Sequence, residues 1–109
     1  MTVTPIENMS PDAVNKALRA NEILLVDVRE TYEFEAEHIA GSYNLPLSGF
    51  DPAALPSGDG KYIVLSCAGG VRSVRAALLC QAAGINIHHH LATGLHGWVA
   101  SGLPTERQG

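Results

Sequence analysis

No stretch of this sequence is apolar for long enough to span a membrane, and no cluster of basic residues interrupts it. Lys and Arg number 7 against 11 Asp and Glu, for a formal charge of −4. That balance argues against a nucleic-acid surface. The start, Met1-Thr2-Val3-Thr4-Pro5, lacks the basic residues and apolar stretch of a signal peptide, so a cytoplasmic location is the expectation. There are only two cysteines, Cys67 and Cys80, and they form no Cys-x-x-Cys pair. A zinc ribbon or thioredoxin-type site is therefore not supported. A structural disulfide is not expected either, because one cysteine falls on a loop and the other well along a helix, with no secretory context. Internal repeats and linkers are also missing. What remains is 109 residues, 46% apolar and 17% charged, which suits one globular domain over residues 1–109 with its core at about 9–104.

The most informative stretch is Cys67-Ala68-Gly69-Gly70-Val71-Arg72. Tyr62-Ile63-Val64-Leu65-Ser66 before it is a short apolar run and reads as a buried strand. Ser73 to Ala83 after it reads as a helix that stops at Gly84. The unit is thus strand, tight loop, helix, with cysteine at the first loop position. Two glycines let the backbone turn sharply and point successive N–H groups inward as an anion-binding nest. The first turn of the helix adds unpaired N–H groups and the positive end of its dipole. Such a place favours the thiolate, the form of cysteine that acts as a nucleophile. A cysteine after a buried strand can also be a plain core residue. The Gly-Gly pair and the arginine favour the reactive reading, since an inert core has little use for a glycine-rich loop at a helix start. Cys80 falls in the apolar stretch Ala76 to Ala83 and reads as core, with a resolving thiol as the alternative.

Along the rest of the chain, Asn8-Met9-Ser10-Pro11-Asp12 opens a first helix running to Ala20, with Ser10 as N-cap, Pro11 at the first helical position and Val14, Ala17 and Leu18 on one face. Ile23 to Val28 is an apolar run broken by one acid, as in a strand covered on both faces at the centre of a parallel sheet. In such sheets functional groups collect beyond the carboxyl ends of the strands. Asp27 and Arg29 lie there and are supporting site candidates; tying down a loop or pairing with each other is the stronger reading. Thr31 to Ile39 reads as a short acidic helix capped by Thr31, its glutamates a solvated face and His38 a packing or capping residue. Tyr43-Asn44-Leu45-Pro46 reads as a short edge strand. Residues 48–60 form a surface connection with one helical turn around Pro52 to Leu55.

Ile85 to Leu91 reads as a strand carrying three consecutive histidines. Strand neighbours alternate between faces, so only His88 and His90 share one, with no carboxylate or thiol obvious beside them. That makes a weak metal site, and no metal is assigned. Thr93 to Gly102 reads as a loop into a last helix with Trp98 against the core, and the final five residues read as loose.

Taken together, Asp27-Val28-Arg29-Glu30 with Glu33-Phe34, His38-Ile39-Ala40-Gly41-Ser42, Asn44-Leu45-Pro46, Cys67-x-x-Gly70-x-Arg72-Ser73 with Ala76-Ala77, then Gly94, Trp98 and Gly102-Leu103-Pro104 resemble a single-domain rhodanese, a sulfurtransferase. The resemblance covers nearly the whole chain. It implies an α/β fold with three α/β/α layers around a five-stranded parallel sheet. It also implies that Cys67 carries a persulfide in a substrate-binding loop of Ala68, Gly69, Gly70, Val71 and Arg72. The expected reaction moves a sulfane sulfur from a donor such as thiosulfate or a persulfide, including one on a partner protein, to a thiol or cyanide. No metal or organic cofactor, nucleic acid or membrane takes part. Arg72 either adds charge at the pocket mouth or pairs with a carboxylate to brace the loop. Three residues depart from the family pattern: Glu37, Thr93 and, within the loop, Ala68, where many members place a basic or polar residue. The alternatives are a sulfur-relay or protein-binding module without catalysis and, further off, a cysteine phosphatase or arsenate reductase. For the phosphatase the arginine comes one residue early and the loop is short for a tetrahedral oxyanion.

Overall fold

A computed structural model describes residues 4–108. Five parallel strands form one sheet: β1 (Glu7–Met9), β2 (Ile23–Asp27), β3 (Tyr43–Asn44), β4 (Tyr62–Ser66) and β5 (His89–Leu91), in the spatial order β1-β5-β4-β2-β3. The central strands β2 and β4 are the apolar ones, paired in register from Ile23 with Tyr62 to Asp27 with Ser66. Both their faces are covered, which is why they read as continuous apolar runs rather than alternating ones. Val14 and Ala17 of helix α1 (Pro11–Arg19) and Leu95 and Trp98 of α4 (Gly94–Ala100) pack with Leu25, Val64 and Leu91 on one face. Ala76, Ala77 and Cys80 of α3 (Val71–Ala82) pack with Val26, Leu65 and Ile87 on the other. The result is the three-layer α/β arrangement that the resemblance implies. Among the described residues no helix is long and apolar enough to cross a membrane.

Several local expectations need correction. Residues 7–9 are not a lead-in to α1 but a strand, and β1 pairs in parallel with the last strand, β5. The short acidic helix α2 (Thr31–Ala36) ends before His38, and Glu30 is its N-cap. The Glu33 carboxylate reaches back to the Glu30 N–H at 2.9 Å, one half of a capping box. Thr31 instead donates its hydroxyl to Asn44 Oδ1. The strand through the histidines is only His89–Leu91, so His88 lies outside the ladder and escapes the strict alternation of faces. Residues 105–108 are not loose, and Gly109 lies outside the described residues. Glu106 exchanges two backbone hydrogen bonds with His38, both 2.8 Å, and the Gln108 N–H donates to the Glu35 carbonyl. His38 is buried, stacks on Phe34 and uses its two ring nitrogens on the Phe34 carbonyl and the Glu106 carboxylate.

Candidate active site

Strand β4 ends at Ser66, helix α3 begins at Val71, and the loop between them carries Cys67. The helix starts two residues earlier than the sequence pattern suggests. Gly70 is its N-cap with φ +98°, a conformation that side-chain-bearing residues rarely adopt. A Cβ at Gly70 would also run into the Ala92 carbonyl. Glycine is therefore required here twice over, by torsion and by space.

Cys67 is buried, with 1% of its surface exposed. Its Sγ accepts the Gly70 N–H at 3.1 Å and the Ser73 N–H at 3.4 Å. Of the N–H groups expected to face the sulfur over residues 68–72, that of Gly70 reaches it, and the second donor, Ser73, lies one residue beyond that range. The N–H groups of Val71 and Arg72 belong to the same first turn and have no intrahelical acceptor. The loop carbonyls point the other way because α4 holds them: the Leu95 N–H donates to the Cys67 carbonyl at 2.8 Å and the His96 N–H to the Ala68 carbonyl at 3.0 Å. Gly94 permits that approach, since a Cβ there would meet both carbonyls. Two helices therefore polarise one loop, α3 supplying donors at the sulfur and α4 engaging the acceptors behind it.

A buried polar chain runs beneath the sulfur. Cys67 Sγ lies 3.5 Å from Ser73 Oγ, Ser73 Oγ lies 2.8 Å from His90 Nδ1, and His90 Nε2 lies 2.7 Å from Asn8 Oδ1. Ser73 and His90 are both buried. Burial lowers the pKa of His90 and so favours the neutral ring. With Asn8 Oδ1 accepting from Nε2–H, Nδ1 accepts the Ser73 hydroxyl proton, and the Ser73 oxygen is left to accept from the Cys67 thiol. With the other ring tautomer, Nδ1–H donates to Ser73, Ser73 donates to sulfur, and the Asn8 amide turns its N–H₂ to Nε2. The chain therefore accommodates both thiol and thiolate. Sequence reasoning gave Ser73, His90 and Asn8 no part in this site: Ser73 stood only in the family motif and His90 only as half of a weak metal pair. Ser73 stood next to the loop in plain view, whereas Asn8 and His90 lie 82 residues apart.

Arg72 forms a two-point ion pair with Glu33, Nη1 to Oε1 at 2.7 Å and Nη2 to Oε2 at 3.1 Å. Glu33 is therefore not part of a solvated face. The Arg72 hydrogen bond holds its pKa down to about 2, against the opposing effect of burial. Arg29 and Asp27 are both buried and paired at 2.8 Å, and Arg29 also donates to the Glu37 carbonyl at the end of α2. These residues fasten α2, and α2 in turn presents Glu33 to Arg72. A shallow cavity of about 540 Å³ lined by Glu30, Leu47, Ser48, Val71, Arg72 and Arg75 opens beside the loop. Val71 at its rim is 80% exposed. Cys80 is sealed among apolar side chains, where burial pushes its thiol up to about 11.

The signature of the Rhodanese-like domain matches residues 10–101 of this chain. An uncharacterized protein of Synechocystis is 40% identical over 97 residues, covering 89% of this chain and 54% of the relative. The mouse thiosulfate sulfurtransferase/rhodanese-like domain-containing protein 3 is 33% identical over 106 residues, covering 84% and 67%. Among solved structures, a rhodanese-related protein from Thermoplasma volcanium superposes with a TM-score of 0.77 at 26% identity, covering 92% of this chain and 97% of that one. The chain spans only about half the length of the Synechocystis relative.

Proposed function

Because this chain belongs to the rhodanese-like domain family, we propose that it is a sulfurtransferase working through a persulfide on Cys67. The observation that supports this best is the pair of N–H donors, from Gly70 and Ser73, aimed at Cys67 Sγ. In the first step the thiolate attacks the sulfane sulfur of a donor. A new S–S bond forms, the donor's S–S bond breaks, and the donor leaves as sulfite (from thiosulfate) or as a thiolate (from a persulfide). Cys67 is left as Cys67–S–S⁻. In the second step an acceptor nucleophile, cyanide or a thiolate, takes the outer sulfur and the thiolate is regenerated. Both states are anions, so preorganised donors serve each. The outer sulfur is held by the remaining first-turn N–H groups and the loop residues Ala68, Gly69, Gly70, Val71 and Arg72. Ser73 supplies a hydroxyl from below.

Arg72 acts here as a brace. Its charge is matched by Glu33, and that of Arg29 by Asp27, so neither guanidinium offers the rim an unpaired positive charge. Ala68 and the exposed Val71 add apolar surface. Arg75, exposed in the cavity lining, is the one guanidinium there outside these ion pairs, and with that single charge the rim suits a weakly charged donor, such as a persulfide on a small thiol or a partner protein, better than dianionic thiosulfate. Mass spectrometry after incubation with thiosulfate or a low-molecular-weight persulfide tests the reading. One added sulfur, confined to the peptide carrying Cys67, is expected. A protein that stays unmodified with both donors, or that is loaded on Cys80, refutes it. Loading without onward transfer to cyanide or thiols would identify the relay module instead.

A further inference from the structure

We propose that Glu7, His88 and His89 form a binding site for one divalent transition-metal ion of the zinc class. The three residues each offer a ligand atom, and these atoms all lie within 4.8 Å of one another. In a tetrahedral zinc site, ligand atoms about 2.1 Å from the ion are about 3.4 Å apart, so the cluster closes by modest side-chain rotation.

The backbone sets the constellation up. Glu7 and His89 sit directly opposite each other in the parallel β1–β5 pair. The Glu7 N–H donates to the His88 carbonyl at 2.6 Å, fixing the chain just before the strand. Because His88 lies outside the ladder, its ring turns toward that of His89, with centroids 4.2 Å apart. Tyr62 backs the His89 ring from the neighbouring strand at 4.7 Å. Glu7 and His89 are thus held by two adjacent strands, with Tyr62 behind them on a third, and His88 is fixed at the position just before β5.

The chemistry of the donors fits as well. His88 Nδ1 is the one buried side-chain nitrogen or oxygen among the described residues that lacks a hydrogen-bond partner. Such a group costs stability unless something satisfies it. His89 Nε2 already meets Glu7 Oε2 at 2.7 Å. An ion displaces the hydrogen shared there, and neutral His89 then carries its ring hydrogen on Nδ1. Two imidazoles and one carboxylate form a borderline N₂O set, suited to zinc, cobalt or nickel rather than magnesium or calcium, with a fourth position for water. His89 is in register with Val64, whereas Cys67 lies beyond the end of β4, so this is a second site. Its ion would clamp the edge strand β1 to β5.

The test is titration of chelator-treated full-length protein with Zn²⁺, followed by calorimetry and by melting temperature, with Co²⁺ absorption as a spectroscopic probe. One equivalent is expected to bind and raise the melting temperature, with visible Co²⁺ bands but no thiolate-to-cobalt band in the near ultraviolet. His89→Gln and Glu7→Gln should each weaken binding at least tenfold, and His88→Gln likewise. Cys67→Ser should bind as wild type does. Glu7 is exposed, so its variant reports on binding even if a histidine variant folds poorly. No binding at millimolar Zn²⁺, binding lost in Cys67→Ser, or binding indifferent to Glu7→Gln and His89→Gln would each overturn the proposal.

Discussion

Cys67 and Cys80 belong to one strand–loop–helix unit, and both are buried, with 1% and 0% of their surfaces exposed. What differs is the company each sulfur keeps. Cys67 sits where the backbone has changed direction, so N–H groups that a helix interior would consume are left to face it. Cys80 lies where every N–H is already used within α3, and its surroundings are the aliphatic side chains under the sheet. Burial by itself therefore does not separate the two sulfurs. The direction of the nearest dipoles does.

The sharpest way to break this comparison is to exchange the two thiols' fates. Cys67→Ser is expected to abolish sulfur transfer altogether, while Cys80→Ala keeps at least half of it and costs about 1 kcal/mol in a denaturant melt. A folded Cys80→Ala protein without activity would make Cys80 part of the chemistry.

A second step leaves both sulfurs in place and spoils only the geometry. Gly94→Ala pushes a Cβ into the Cys67 and Ala68 carbonyls at a positive φ of 62°. Strain of about 1–3 kcal/mol is expected from the torsion alone. Sulfur loading should fall by more than tenfold while Cys80 stays unreactive toward alkylating agents. If loading survives, the grip of α4 on the loop carbonyls is not what aims the donors.

Ser73→Ala probes the chain below the sulfur. It removes the hydroxyl near Sγ and strands His90 Nδ1, which should cost about 1–3 kcal/mol of stability. Turnover should drop about tenfold, less than for a full oxyanion donor because the contact to sulfur is long. Ser73→Thr, which keeps the hydroxyl, should recover part of the turnover.

Acid should loosen the loop before it affects Cys80. The Glu33 pKa is lowered from its ordinary 4.5 to about 2 by Arg72. A depressed carboxylate pKa stabilises the fold fully above the unfolded value, and that contribution is lost as pH falls from about 4.5 toward 2. The pair is half-exposed, so its worth is about 1 kcal/mol or less. The difference in melting temperature between wild type and Glu33→Gln should be constant above pH 5 and vanish near pH 2. A constant difference over the whole range would show that the pair does not brace the loop.

The smallest expected effect is a few-fold fall in KM for thiosulfate on Ala68→Arg, shrinking at high salt as the added charge is screened. Unchanged steady-state constants would mean that rim charge does not govern donor choice.

The strand before Cys67, the helix after it and the Ser10 cap could be read in the sequence because each rests on periodicity or on contacts a few residues away. The pairing of Arg72 with Glu33 spans 39 residues, and that of Asn8 with His90 spans 82. Nothing local distinguishes Glu33 from its solvated neighbours Glu35 and Glu37. The same limit hid Glu7, which no pattern around the histidines points to. The expectation of a loose C-terminus failed for a related reason: Glu106 is held by backbone bonds to His38, and these leave no trace in composition.

Synthesis order adds a consequence of the sheet's topology. The first strand made, β1, has only the last one, β5, as its neighbour, and the carbonyls behind Cys67 are gripped by a helix that begins at Gly94. As the chain leaves the ribosome, Cys67 emerges 27 residues before Gly94, where the helix that grips its loop carbonyls begins. For that interval Cys67 lies in an unfinished fold, with the Gly70 and Ser73 N–H groups not yet fixed at its sulfur. If Cys67 carries sulfur as proposed, uptake begins only once β1 and α4 have closed around the loop, which ties the onset of reactivity to the folding of this domain.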